Sequence, residues 1–478
     1  MKTQSVHRFV SFLVIALLTV GLWLGGAAPV RAFATVLYVA PGSGCTGISN
    51  CFATIQAAVD VAADGTTPQV EIRVAAGMYT DIHDCPRNDI TTTGTAKAVV
   101  CLSKTLTIRG GYNPTFTVQN PATYVTTLDA ESHGRGIYIT GVKSPTIDGL
   151  SITGGNASGL TGHDDYTPVD AGGGVYIMTA NATLTNNRIF NNTSPSHAGG
   201  VYIGYSNSQL SGNTINNNSV VTGSGGGIVL FHSGATLAGN KILSNTSGNV
   251  GGGLYTLYSN TATFVKNTVS ANTAANNGGG IDIAACSPSL SGNLVTGNSA
   301  DWGGGIVLWY SSSTLTNNVI ENNQASSTGS GIWIGGSTPA LLHNTISHNT
   351  GGDGSGVYAS DDGNTPAVYS VVTIKNSIIA NQTIGVRANT GSTYSMDGVL
   401  WYNNVTDKSA TGVTVTHWYS GNPRFTADGY HLTKISPAIN KGVDAGVTTD
   451  IDGEARLGIP DLGADEYWWS TYLPLVRR

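Results

Sequence analysis

Between Gly172 and Val357 one short phrase keeps returning, a run of glycines followed by an aliphatic residue. Gly172-Gly173-Gly174-Val175 is answered by Gly199-Gly200-Val201, Gly225-Gly226-Gly227-Ile228, Gly251-Gly252-Gly253-Leu254, Gly278-Gly279-Gly280-Ile281, Gly303-Gly304-Gly305-Ile306, Gly331-Ile332 and Gly356-Val357. Successive last glycines are separated by 26, 27, 26, 27, 25, 26 and 25 residues. A period of this length marks a repeat architecture, in which each unit buries its apolar face only against its neighbours.

A second phrase keeps the same beat: Leu184, Asn187, Ile189, Asn192, then Leu210, Asn213, Ile215, Asn218, and so on to Leu341, Asn344, Ile346, Asn349. Short alternating runs of this kind predict half-buried strands and leave too little room for a helix of about ten residues or more. Stacked coils place each strand beside its copy at about 4.8 Å, in a parallel, in-register ladder. Val175, Val201, Ile228, Leu254, Ile281, Ile306, Ile332 and Val357 then form one column of a dry core. Asn is expected at the corners, where it tolerates left-handed backbone and its amide can bond the matching amide one coil away. Glycine before the strand allows a sharp corner. A calcium-binding β-roll would need regular aspartates at a shorter period, and leucine-rich repeats need more leucines and a helical side. The expected fold is all-β, a parallel β-helix solenoid of about a dozen coils.

Charged residues make up 10% of the chain, against about 25% in an average soluble protein. With 22 Lys and Arg and a net charge of -6, nucleic acid is not an expected partner. Lys2, His7 and Arg8 precede an apolar run from Phe9 to Leu24, and Ala32-Phe33-Ala34 offers small residues for cleavage. Residues 1–34 therefore read as a signal peptide, and the mature chain as secreted or surface-located without a transmembrane segment. Five cysteines suit an oxidising compartment. Cys45 with Cys51, and Cys85 with Cys101, are the plausible pairs, leaving Cys286 as the odd thiol.

Residues 35–101 read as an N-terminal cap with the first strands. Ile55, Ala58, Val59 and Ala62 have helical spacing behind Thr54 as N-cap, which predicts a short lid over the first coil. Residues 102–437 carry the coils, irregular up to Ile152 and looser again beyond Val357. Residues 438–478 read as a C-terminal cap and tail. The Gly-Gly-Gly-Val-Tyr-Ile and Leu-Ser-Gly-Asn-Thr-Ile phrases resemble the right-handed parallel β-helix proteins of the pectin-lyase-like superfamily, over roughly Leu37 to Pro437. Ser436-Pro437-Ala438-Ile439, Asp450-Ile451-Asp452-Gly453-Glu454-Ala455-Arg456 and Asp461-Leu462-Gly463-Ala464-Asp465-Glu466-Tyr467 are similar to the terminal region of bacterial choice-of-anchor surface proteins.

The resemblance implies that an enzyme on this fold would line one outer face with carboxylates and a base from adjacent coils. Acids for glycoside hydrolysis must lie about 5–9.5 Å apart, one or two coils here. Asp170 and Asp301 share a corner but are five steps apart, and Asp282 has Tyr255 and Val307 as column neighbours. Suitable groups concentrate in Asp129, Glu131, His133 and Arg135, the insertion with His163, Asp164, Asp165 and Asp170, and His197. Their convergence would serve β-elimination with a carboxylate-bound Ca²⁺ and Arg135 as base, or hydrolysis with two acids. Asp450, Asp452 and Glu454 form a fragment of a calcium loop without the fuller spacing of an EF-hand, and a glycine-containing turn is the favoured reading of it, with Asp450 and Asp452 as the metal candidates.

Aromatic residues suggest a different use. Two residues past the last glycine the side chains should point outward, giving Tyr176, Tyr202, Val229, Tyr255, Asp282, Val307, Trp333 and Tyr358. Three residues further come Thr179, Tyr205, His232, Tyr258, Ala285 and Tyr310. Rings in a row on a rigid face can stack on sugar rings, or can simply stabilise the ladder. Tyr205, His232, Tyr258, Tyr310, Trp309 and Trp333 are the ligand-binding candidates. The expected protein is a monomeric, non-catalytic binder of polysaccharide or cell-surface glycan, with a uronide lyase or hydrolase as the alternative.

Overall fold

The computed structural model describes residues 35–42, 44–65, 67–87, 95–162, 169–409 and 411–468. Residues 1–34, expected as a signal peptide, and residues 163–168 of the acidic insertion lie outside them. The strands among the described residues form sheets of 25, 13 and 6 strands. One coil shows the plan. Ile228–Phe231 belongs to the 13-stranded sheet, Thr236–Ala238 and Lys241–Leu243 to the 25-stranded sheet, and Thr246–Ser247 to the six-stranded sheet. Each pairs in parallel with its copies in the neighbouring coils.

The register is the one the glycine beat demands: Val175, Val201, Ile228, Leu254, Ile281, Ile306, Ile332 and Val357 are consecutive partners. All are at most 1% exposed and join one core with the aliphatics of the second phrase. A fully buried aliphatic side chain contributes roughly 1.5–3 kcal/mol, and every coil repeats several, as Ile228, Leu230, Leu237 and Ile242 do.

The glycine run has two causes. Gly225 turns the chain at φ +71°, which a side chain rarely adopts. A Cβ on Gly227 would instead lie 2.5 Å from the carbonyl oxygen of Gly253 in the next coil. The run is thus a tight corner followed by a backbone contact between coils.

The reading of the asparagines needs one correction. The left-handed position is the residue before the repeated Asn, as in Asn186, Asn217, Ser244, Lys266 and His343. The repeated Asn is buried and bonded. Asn245 Nδ2 donates to Ile215 O at 2.9 Å and to Asn272 Oδ1 at 3.0 Å, while its own Oδ1 accepts from Asn218 N and Nδ2, both at 3.0 Å. A residue here must donate and accept at once, which an amide does in one side chain.

At the N-terminal end the helix α1 (Ile55–Val61) has Thr54 as N-cap, accepting from Ala57 N at 3.2 Å, and buries Ile55, Ala58 and Val59. It packs on Val36–Val39, Glu71–Ala75 and Thr95–Leu102. Disulfides join Cys45 to Cys51 and Cys85 to Cys101, and Cys286 is a buried free thiol. No helix among the described residues is long and apolar enough to cross a membrane.

Beyond the regular coils, the two ladders of the 25-stranded sheet merge into the long strands Val371–Ala380 and Thr393–Tyr402, followed by Val413–Ser420. The chain then folds back on the outside of that sheet. Leu432, Ala438 and Leu462 pack on Ile378, Ala380 and Leu400, while Ile451 and Ala464 pack on Val319. The segment expected as a cap therefore lies along the flank of coils already built, and Trp418 on the last strand stays 63% exposed.

Candidate functional site

On the outer face of the 13-stranded sheet, Tyr138, Tyr176, Tyr202, Val229, Tyr255, Asp282, Val307, Trp333 and Tyr358 follow one another in register. They leave the core, but the first part of the column never reaches solvent. Tyr138, Tyr176 and Tyr202 stack at 5.3 Å intervals and are at most 1% exposed. Cys85, Ala96, Ala98 and Ala171 complete this second apolar cluster. These covering residues come from an antiparallel hairpin, His83–Pro86 paired with Thr95–Leu102, and from the loop before Gly172, neither of which belongs to the repeat.

Arg135 serves that cover. It is fully buried, with Nε donating to Ala171 O at 2.9 Å, Nη2 to Thr161 O at 3.0 Å, and the guanidinium 4.7 Å from the Tyr176 ring centre. Burial pushes its pKa down. Asp170 accepts from Gly159 N and Thr161 N, both at 2.8 Å, and so ties the same loop shut. Both residues hold the wall in place and face away from solvent or toward the loop backbone. The other catalytic candidates, His163, Asp164 and Asp165, lie outside the described residues.

Three residues along, the chain turns a left-handed corner in every coil. Tyr205, His232, Tyr258 and Tyr310 have φ of 50°, 46°, 54° and 49°. That backbone aims their rings outward. Tyr205 and His232 stack at 5.0 Å, and His232 and Tyr258 follow at 4.9 Å, one ring per coil. Tyr258 is 36% and Tyr310 40% exposed. Ala285 interrupts the row, and beyond it the Tyr310 hydroxyl donates to Asp362 Oδ2 at 2.6 Å. Trp309 and Trp333 also come together, stacked at 5.1 Å, with Trp302 on the far side of Trp333 at 5.8 Å. Trp302 was not among the sequence candidates because it ends the strand Ser299–Trp302 just before a glycine run, outside the columns traced there.

Between the ring row and the tryptophans the surface opens into a cleft of about 320 Å³, lined by Ser224, Asn249, Val250, Tyr255, Asn277, Asp282, Ala284, Val307 and Trp309. Its room comes from Ala284, whose partners in register are Leu257 and Trp309. Asp282 stands at the cleft, 3% exposed. No hydrogen bond or ion pair holds its carboxylate among the described residues. Burial alone pushes its pKa up to about 7, because an ionised carboxylate loses its hydration there without gaining a partner.

The calcium-loop fragment resolves differently for its two metal candidates. Asp450 Oδ1 accepts from the backbone of Asp452, Gly453 and Glu454 at 3.0, 2.9 and 2.8 Å, and Oδ2 from Glu466 N at 3.1 Å. That is a closed turn. Asp452 Oδ2 lies 2.6 Å from His431 Nε2, and Asp428 Oδ2 lies 2.5 Å from His431 Nδ1. Burial works against a charge on His431, but these two carboxylates raise its pKa to about 9. His431, Asp452 and Asp465 bring donor atoms within 4.8 Å of one another. This one-imidazole, two-carboxylate set suits a transition ion better than Ca²⁺, which prefers oxygen ligands throughout. His431 and Asp465 have no place in the loop motif, so spacing alone could not nominate them.

A family model for the right-handed beta helix region matches residues 101–269, 136–320 and 269–398. No curated protein sequence matches the chain. Among solved structures, pectate lyase Pel9A is similar with a TM-score of 0.40 and 13% identity, over 91% of this chain and 97% of that one. The A-module of the Azotobacter vinelandii mannuronan C-5 epimerase AlgE6 reaches 0.38 and 16%, over 77% and 94%. The Dettilon tailspike protein reaches 0.42 and 14%, over 81% and 69%. The family matches span more than half of the 478 residues, in the region where the parallel ladders stack coil on coil, and the chain belongs to the right-handed beta helix family.

Proposed function

We propose that this protein binds a polysaccharide along the outer face of its 13-stranded sheet, outside the cytoplasm. The carrying observation is the ring row itself: Tyr205, His232 and Tyr258 recur once per coil at 5.0 and 4.9 Å beside an open cleft. That rise is close to the length of one pyranose residue, so a chain lying along the axis meets a ring at each step. Aromatic side chains grouped on an outer surface mark binding surfaces. Two disulfides suit an oxidising compartment, and display on a cell surface, suggested by the choice-of-anchor resemblance of the C-terminal region, is part of the same reading.

The test is a glycan array with wild type and the Tyr205→Ala, Tyr258→Ala, Tyr310→Ala triple variant. Binding that falls at least ten-fold in the variant is expected; unchanged binding would remove the row from the reading. Binding is favoured over hydrolysis because Asp282 is the one acid lining the cleft among the described residues, whereas glycosidases pair two carboxylates. Incubation of wild type with uronide polymers checks this, and release of unsaturated or reducing products would put a lyase or hydrolase in its place.

A further inference from the structure

Asp282 is a charge that the fold does not use. Its register neighbours are Tyr255 and Val307, and an apolar residue would complete the column without desolvating a carboxylate. Other buried charged residues on this molecule have hydrogen-bond partners: Arg456 Nη1 donates to Glu466 at 3.0 Å, Arg109 Nη1 to Glu71 at 3.0 Å and Arg135 Nε to Ala171 O at 2.9 Å, and Asp450 accepts from backbone N–H groups. Asp282 instead stands at the cleft that Ala284 leaves open between Leu257 and Trp309.

We propose that this cleft is an amino-sugar subsite, in which Asp282 holds the ammonium group while the sugar ring lies against Tyr255 and Trp309. The inference rests on the polysaccharide reading and deepens it. Three features select the ligand. The lining holds one carboxylate and no lysine or arginine among the described residues, so a cation meets attraction without competition. A calcium ion seeks about 6–8 oxygen ligands, and one carboxylate is a poor start. A neutral sugar would leave the carboxylate uncompensated in a dry place, whereas an ammonium group neutralises it and is also attracted to the faces of Tyr and Trp rings. Asn249, Asn277 and Ser224, which also line the cleft, supply donors and acceptors for ring hydroxyls.

The experiment is calorimetric titration of the full chain with three oligosaccharides of equal length: fully deacetylated chitosan, N-acetylated chitin and cellulose oligomers. Wild type is expected to bind the deacetylated oligomer at least ten-fold more tightly than the other two. Asp282→Asn should abolish that preference, lowering deacetylated-oligomer binding at least ten-fold. Ala284→Leu, which copies Leu257 one coil earlier, should fill the cleft and lower deacetylated-oligomer binding at least ten-fold without touching the carboxylate. Thermal melts check that both variants fold. Equal binding of all three oligomers by wild type, or a preference that survives Asp282→Asn, would overturn the subsite. If neutral oligomers still lose affinity in the ring-row triple variant, the polysaccharide reading stands without it. If only the deacetylated oligomer binds and the triple variant changes nothing, the ring row falls and the subsite remains.

Discussion

The central coils and the C-terminal flank both bury many polar groups, and they do it in opposite ways. From Asn187 to Asn344 and from Asn192 to Asn349, the coils repeat a neutral amide that donates to one neighbour and accepts from the other. The flank uses each charge once. Arg456 donates to Glu466, to the carbonyls of Gly463 and Ala464 at 2.9 Å, and to Asn317 Oδ1 at 3.1 Å. A translational repeat rewards a group that can satisfy its own copy, which an amide does and a charge cannot, since like charges stacked at the coil spacing repel. Where the repeat stops, single-use ion pairs become admissible, and with them sensitivity to pH.

The largest effect should come from interrupting the ladder. Asn245→Ala removes four side-chain hydrogen bonds and orphans buried groups on both neighbouring coils, a cost of about 5 kcal/mol, read from chemical denaturation by circular dichroism. A loss under about 1 kcal/mol would mean that the ladder is ornamental. Next comes Arg456→Met, which leaves Glu466 buried without its cation and should cost about 4 kcal/mol. Limited proteolysis should then cut residues 421–468 while the coils stay intact. If the whole molecule unfolds together, coils and flank are one cooperative unit.

His343 sharpens the comparison through pH. It sits under the flank, where burial, followed by the charge of Arg456, depresses its pKa from 6.5 to about 3. The folded state then holds fewer protons than the unfolded chain between pH 3 and 6.5, so stability falls as pH drops through that window, by about 2 kcal/mol at pH 5. His343→Asn should lose this acid sensitivity, as measured by melting temperature against pH. At pH 5 Asp282 gives the smallest effect, about 1.6 kcal/mol, with the opposite sign. Its raised pKa means the folded state keeps a proton that the unfolded chain has lost, so stability falls as pH rises from about 4 to 7, by about 1.4 kcal/mol per unit. Asp282→Asn should flatten that slope, and a wild type without it would place the carboxylate in water.

The coils were legible because their reasons are local and repeated. The glycine run, the aliphatic column and the Asn positions each recur at the spacing that in-register stacking requires, so one coil read correctly yields the rest. The isolation of Asp282 was legible too, since its neighbours follow from counting. Its 3% exposure was not, because that depends on how the side chains of neighbouring columns pack around it in three dimensions. Tyr176 looked exposed by the same counting, yet it lies under residues supplied by the hairpin at Cys85 and the loop before Gly172. The gathering of His431, Asp452 and Asp465 escaped for a similar reason: these residues meet only after the chain reverses along the flank.

By itself, then, the sequence determined the period, the parallel register and which side chains enter the core, because each coil's neighbour is its own copy and spacing becomes position. Only the tertiary structure decided which outward residues meet solvent, where the cleft opens and which charges are paired. Those outcomes depend on segments that occur once, and no repeat foretells where a unique segment will come to rest.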